Sequence, residues 1–131
     1  MIVDSSAILA ILYKEPDAAS FAEAIAGAAS CRISAVTYVE AAVVIEAQSE
    51  GGGRHFDTFI RRSGIVIEPV TEDQAMVARQ AYADFGKGRH PAGLNFGDCF
   101  SYALAMVSGE ALLFKGNDFS KTDVKAVRHD Q

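Results

Sequence analysis

The sequence is poor in cysteine, tryptophan, proline and long apolar runs, and it carries no excess of basic residues. Two cysteines, Cys31 and Cys99, are too few for a disulfide framework and form no C-x-x-C pair, so both read as reduced, buried thiols. The longest apolar run, Ala7 to Tyr13, has seven residues, where a membrane span needs about 18. Met1 leads straight into a strand-like run without the basic start of a signal peptide. A soluble, unexported, cytoplasmic protein with no membrane attachment is the expectation.

Basic charge is also missing where a generic polyanion binder would need it. The net charge is −5, and residues 1 to 50 hold Lys14 and Arg32 against seven acids, so the entire imbalance lies in that half. Nucleic-acid modules are ordinarily basic. If this chain handles RNA or DNA, a cation or a few local arginines must mediate. The nucleotide-binding loops G-x-G-x-x-G and G-x-x-x-x-G-K-[ST] are absent, which argues against dinucleotide and P-loop chemistry. His55, His90 and His129 are scattered without ligand spacing and read as surface or loop histidines.

What is present is an alternation of β and α signals over 131 residues, a length suited to one domain spanning 1–131. Ile2-Val3 is a short β-branched run that stops at Asp4-Ser5-Ser6 and becomes the apolar helix Ala7 to Tyr13. In parallel α/β sheets ligands sit outside the strand carboxyl ends, so Asp4 is placed for chemistry, although Asp before Ser-Ser is equally an N-cap. Asp17 is positioned to cap a helix over about 18 to 29, Cys31 to Ser34 reads as a strand, and Thr37-x-x-Glu40 has the capping-box pattern of a helix running to about Ser49. Within it, Ala41 to Ile45 are apolar at consecutive positions. That is wider than one buried stripe, so the helix is either central or offers a face to another chain.

Gly51-Gly52-Gly53 predicts a turn or mobile loop, followed from Arg54 by a helix with Phe56, Phe59 and Ile60 on one face. Ile65 to Val70 predicts a buried strand, and Thr71-x-x-Gln74 caps a helix whose Ala75, Ala78, Tyr82 and Phe85 share helical spacing. Residues 86 to 97 form the longest irregular segment, rich in glycine around Lys87, Arg89 and His90. Asp98 then opens a nearly all-apolar helix to Val107, Ala111 to Phe114 is a strand, and a last short strand falls near Lys125 to Val127.

Asp4, Glu40 and Asp98 thus each lie within a turn of a helix start, and Asp118 follows the end of a strand. A parallel sheet brings such positions to one edge. Carboxylates gathered there stay ionised only beside a cation, and hard Mg²⁺ or Mn²⁺ is the natural match for oxygen donors. A haloacid-dehalogenase-like phosphatase would show Asp-x-Asp, where Ser6 stands instead of the second acid; a receiver-like domain would need an acceptor aspartate, and the third strand ends Glu68-Pro69-Val70.

Four segments, in order, carry a resemblance: Ile2-Val3-Asp4-Ser5-Ser6-Ala7, Thr37 to Ala41 around Glu40, Leu94-Asn95-Phe96-Gly97-Asp98-Cys99 through Ala105, and Leu112 to Phe119. Together they resemble the PIN-domain ribonucleases, specifically the VapC-type toxins of toxin–antitoxin pairs. The resemblance implies a three-layer α/β/α domain with a central, mostly parallel sheet of four to five strands. It further implies a Mg²⁺- or Mn²⁺-dependent endoribonuclease, a homodimer, and neutralisation by a cognate VapB-type antitoxin. Asp4, Glu40 and Asp98 would hold the metal with Asp118 as fourth acid, Asn117 being the neighbouring candidate for that place. Ser6 and Asn95 would support them, Lys115, Arg89 and Lys87 would contact the RNA backbone, and Asp98 or Asp4 would position or deprotonate the attacking water. Two competing expectations remain beside this one, a catalytically silent binding module of the same fold and a small metal-dependent phosphatase.

Overall fold

The computed structural model describes residues 1–128. The chain runs β1 (Ile2–Val3), α1 (Ser5–Leu12), α2 (Ala18–Gly27), β2 (Cys31–Ser34), α3 (Ala35–Gln48), α4 (Gly52–Arg62), β3 (Ile65–Glu68), α5 (Glu72–Phe85), α6 (Phe96–Ser108) and β4 (Leu112–Leu113), then a 3₁₀ turn at Phe119–Lys121. The strands form one all-parallel sheet in the order β3-β2-β1-β4. The anticipated last strand is a single parallel bridge, Leu112 to Ala126, held by the Leu112 N–H on the Lys125 carbonyl at 2.8 Å.

Side-chain alternation along the strands builds two cores. Val3, Ile33 and Leu113 point into a cluster with Ile8, Phe21, Ala41 and Phe56, whereas Ile2 and Leu112 point into one with Ala78, Ala103, Leu104 and Phe119. Helices α1 to α4 therefore cover one face and α5 with α6 the other, which is the expected three-layer arrangement. Both residues of β1 are fully buried, so the central strand needs only two positions to serve both cores.

Several local expectations are corrected. Helix α3 starts at Ala35, not at Thr37, and Thr37 lies inside it, fully buried, so no capping box forms with Glu40. Asp17 occupies the N-cap of α2 but makes no capping bond, because Lys115 takes its carboxylate at 3.1 Å. Only Gly51 of the glycine triplet is a turn residue, with φ 77°; Gly52 and Gly53 are the first residues of α4. The reason is packing: a Cβ on Gly52 would stand 2.6 Å from Ile45 Cγ2, so bare backbone lets α4 close onto the end of α3.

Strand β3 is not buried throughout. It lies at the sheet edge, which leaves Val66 and Ile67 at 53% and 42% exposure. On α5 the inward face is Gln74, Ala78 and Ala81, while Ala75 and Tyr82 are exposed. Helix α6 begins at Phe96, two residues before Asp98, with Asn95 as its N-cap.

Candidate functional site

Three of the four acids reach the carboxyl edge of the sheet by strand-to-helix junctions or helix starts. Asp4 follows β1 directly and is the N-cap of α1, its extended backbone (φ −86°, ψ 157°) turning the side chain back onto Ser6 N–H at 3.0 Å. The capping role read from the sequence is therefore real. Asp4 is also 2% exposed, and capping alone does not require such burial. Asp98 sits in the first turn of α6 within a capping box: it donates its N–H to Asn95 Oδ1 at 2.8 Å and accepts the Asn95 N–H on Oδ2 at 3.0 Å. That leaves Asp98 Oδ1 uncommitted among the described residues.

Glu40 arrives from the second turn of α3. Its Oε1 accepts Ser5 Oγ at 3.0 Å, and its carboxylate lies over the backbone of Gly97, where a Cβ would come within 1.8 Å of Oε2. Gly97 thus admits Glu40 to the start of α6. Asp118 is exposed and stands just before the 3₁₀ turn, where its side chain makes no capping bond.

Asp98 is the residue that feels the other three acids. Burial, the largest cause, pushes the Asp98 carboxyl up to about 7; the Asn95 N–H opposes it, and the fields of Asp4, Glu40 and Asp118 add smaller upward contributions. Burial also raises Glu40, with Asp4 contributing and the Ser5 hydroxyl opposing. Among the described residues none of the four has an ion-pair partner. These fields reach farther than ligand bonds, which are about 2.0–2.6 Å for Mg²⁺ or Ca²⁺. As the side chains stand, no group of three or more His, Cys, Asp or Glu among the described residues is gathered closely enough to hold a metal ion. The donor set itself, all carboxylate oxygen and uncompensated by any lysine or arginine, fits a hard divalent cation.

The supports are partly those anticipated. Ser6 donates Oγ–H to Asp4 at 2.7 Å and accepts the Lys115 N–H at 2.9 Å, and Asn95 anchors Asp98 as described. The sequence reading missed Ser5, Thr37, Gly97 and Ser101. Ser101 donates to Asp4 Oδ1 at 2.6 Å and meets Thr37 at 2.9 Å, both hydroxyl residues being fully buried. A signal was available: Ser101 is three residues beyond Asp98 and Thr37 three before Glu40, so each shares a helix face with a site acid.

The cations fare unequally. The Lys115 ammonium is bound by Glu15 at 2.5 Å and Asp17 at 3.1 Å, so it is committed to the protein rather than to a ligand. Arg89 lies 5.9 Å over the Tyr82 ring, and Lys87 is exposed. His55 is exposed on α4 and His90 lies in the loop with Nδ1 accepting the Ala92 N–H, as expected; His129 falls outside the described residues. On α3, Ala41 and Ile45 are buried but Val39 and Val43 are 55% and 62% exposed, so the helix is not fully interior. With Val36, Val44 and Phe96 they line an apolar groove of about 630 Å³ that Glu40 and Gly97 also border.

Comparison with known proteins follows the same lines. The PIN domain family matches residues 1–125. The chain is 55% identical over 127 residues to Ribonuclease VapC28 of Mycobacterium tuberculosis, covering 95% of this chain and 96% of the relative. It is 52% identical over 128 residues to Ribonuclease VapC of Mycolicibacterium smegmatis, covering 97% and 99%. Among solved structures it superimposes on Mycobacterium tuberculosis VapC20, a sarcin-ricin loop cleaving toxin, with TM-score 0.77 at 18% identity over 97% of this chain and 98% of that one. VapBC2 from Rickettsia felis, bound to a DNA fragment from its promoter, gives TM-score 0.77 at 13% identity over 98% of each chain, a likeness of fold.

Proposed function

This chain belongs to the PIN domain family, and from that premise we propose that it is the toxin ribonuclease of a toxin–antitoxin pair. It hydrolyses RNA phosphodiester bonds with Mg²⁺ or Mn²⁺ held by Asp4, Glu40, Asp98 and Asp118. The observation that carries this reading is that Asp4, Glu40 and Asp98 are brought to one edge of the parallel sheet, where none of them has an ion-pair partner among the described residues. A purely structural set of helix caps would not collect like charges this way, because each added carboxylate costs stability. The curated relatives, named as VapC ribonucleases, support the reaction.

The cation would supply charge neutralisation at the scissile phosphate and make water a better nucleophile there. The chain's own residues do the rest. Asp4, buried and anchored through both oxygens, is a rigid ligand. Glu40 is steered by Ser5 and by the space at Gly97. Asp98, held through Oδ2 by the Asn95 N–H and with Oδ1 uncommitted among the described residues, is the acid that with Asp4 would position or deprotonate the attacking water. Arg89 and Lys87 remain the candidates for contact with the RNA backbone, and Lys115 is withdrawn from that role by Glu15 and Asp17.

The apolar groove along α3 supports a protein partner, either a second copy or a VapB-type antitoxin, and the neighbours in fold include a toxin–antitoxin complex from Klebsiella pneumoniae. The PIN family match over residues 1–125 supports reading the chain as one domain, and no helix among the described residues is long and apolar enough to cross a membrane.

The direct experiment is cleavage of a panel of structured RNAs with Mg²⁺ or Mn²⁺, beside Asp98→Asn. Activity should vanish with chelator and fall more than about 100-fold in the variant, since even partners behind metal ligands cost 10–100-fold. Chelator-insensitive cleavage, or full activity in Asp98→Asn, would sink the metal mechanism. Turnover of phosphomonoesters instead of RNA would make it a phosphatase, and absence of both cleavage and metal binding would make it a silent docking module.

A further inference from the structure

Asp4 accepts three hydrogen bonds, and the donors can be traced outward. Oδ2 takes the Ser6 N–H at 3.0 Å and the Ser6 Oγ–H at 2.7 Å, while Oδ1 takes the Ser101 Oγ–H at 2.6 Å. A hydroxyl has one proton to give. Because Ser101 gives its proton to Asp4, it must be the acceptor in its 2.9 Å contact with Thr37, which makes Thr37 Oγ1 the donor. By the same count Ser6 accepts the Lys115 backbone N–H at 2.9 Å and passes its own proton to Asp4. Two one-way chains therefore end on this carboxylate, one from α3 through α6, the other from the end of β4.

Each carboxylate oxygen has two lone-pair directions. Both on Oδ2 are filled by Ser6, and one on Oδ1 is filled by Ser101, so Asp4 retains one open direction, on Oδ1. We propose that Ser101 and Thr37 are positioning residues that aim Asp4, so that it meets the divalent cation through Oδ1 alone. Thr37 and Ser101 are completely buried and Asp4 is 2% exposed, so water does not compete for these bonds. The same helices carry the acids and the props: α6 brings Asp98 with Ser101, and α3 brings Glu40 with Thr37. A shift of either helix would thus move Asp4 together with the acid that helix bears. This inference rests on the metal-dependent reading above.

The test is Mn²⁺ affinity by calorimetry, with melting in chelator as a check on folding. Ser101→Ala should weaken Mn²⁺ binding about 10–100-fold, the usual cost of losing the partner behind a metal ligand. Thr37→Val, which keeps the shape and removes the donor, should weaken it several-fold, and Thr37→Ser should restore it. If Ser101→Ala does not fold, the Thr37→Val and Thr37→Ser pair decides alone. A folded Ser101→Ala or Thr37→Val with wild-type affinity overturns the positioning role, as does Thr37→Ser binding as weakly as Thr37→Val. A wild-type protein that binds no Mn²⁺ while holding its fold overturns the metal-dependent reading itself.

Discussion

The two ends of the sheet treat carboxylates in opposite ways. At the amino end, just before β4, Glu110 accepts from both the Met1 ammonium and Arg32, and Arg32 also reaches Glu68 at 3.4 Å. Those hydrogen bonds, from the Met1 ammonium first and then Arg32, hold Glu110 below the usual carboxylate range. At the carboxyl end, Asp98 and Glu40 are pushed up first by burial and then by nearby carboxylates, Asp4 acting on both, with no ion-pair partner among the described residues. One end is self-neutralised and stabilises the fold. The other stores repulsion that protonation or a ligand of opposite charge relieves, and this difference marks the working end of the molecule.

Gly97→Ala should break the working end while sparing the fold. The new Cβ would meet Glu40 Oε2 at 1.8 Å, and because that atom is the tip of a flexible side chain, Glu40 will swing away rather than the helix unwind. Mn²⁺ affinity and RNA cleavage should drop about 10–100-fold, whereas urea unfolding should show stability unchanged or higher by about 0.5–1 kcal/mol from replacing a helical glycine. A variant that loses stability and activity in parallel would refute this division.

Next in size is Asp98→Asn, read as stability in chelator at two pH values. The folded carboxyl titrates near 7 and the unfolded one near 3.8. Protonation therefore favours the folded state, and the stability it contributes is complete below about pH 4 and lost as pH rises through 7. The asparagine variant should be more stable than wild type at pH 8 by on the order of 1–3 kcal/mol, a range discounted for partial solvent screening. At pH 4 the two should nearly coincide, and an equal gap at both pH values would show that charge is not the cause.

The smallest effect, of opposite sign, is expected at the other end. Glu110→Gln removes the acceptor of two cationic groups, and the lowered folded pKa means the lost stability is present above the unfolded value near 4.5 and fades as pH falls below it. With a side chain 28% exposed, the cost at pH 7 should be about 1 kcal/mol by chemical denaturation. If Glu110→Gln instead stabilised the protein at pH 7, the contrast between the two ends would collapse.

Much of this was legible in the residues. Asp4 at the end of a β-branched run, Asp98 ahead of an all-apolar helix, and the β-α alternation placed both acids at one sheet edge before any coordinates. What misled were local patterns with two physical solutions. Thr37-x-x-Glu40 matches a capping box, yet α3 begins two residues earlier because Ser34 ends β2 and the chain turns at once, which drives Thr37 inward. The glycine triplet signals freedom, yet at Gly52 the missing Cβ serves close packing on Ile45. Lys115 reads as a free cation until Glu15 and Asp17, about a hundred positions away, appear beside it.

By itself, then, the sequence determined which segments are strands and helices and which acids lie at their junctions, because period, capping and turn chemistry act over a few residues. Only the tertiary structure decided that Ser101 donates to Asp4 and meets Thr37, that Gly97 makes room for Glu40, and that Asp98 lies within the fields of Asp4, Glu40 and Asp118. Those relations join positions 57 to 97 residues apart in several cases, and no local rule reaches that far. They depend on how four parallel strands are ordered, which brings β1, α3 and α6 to the same edge.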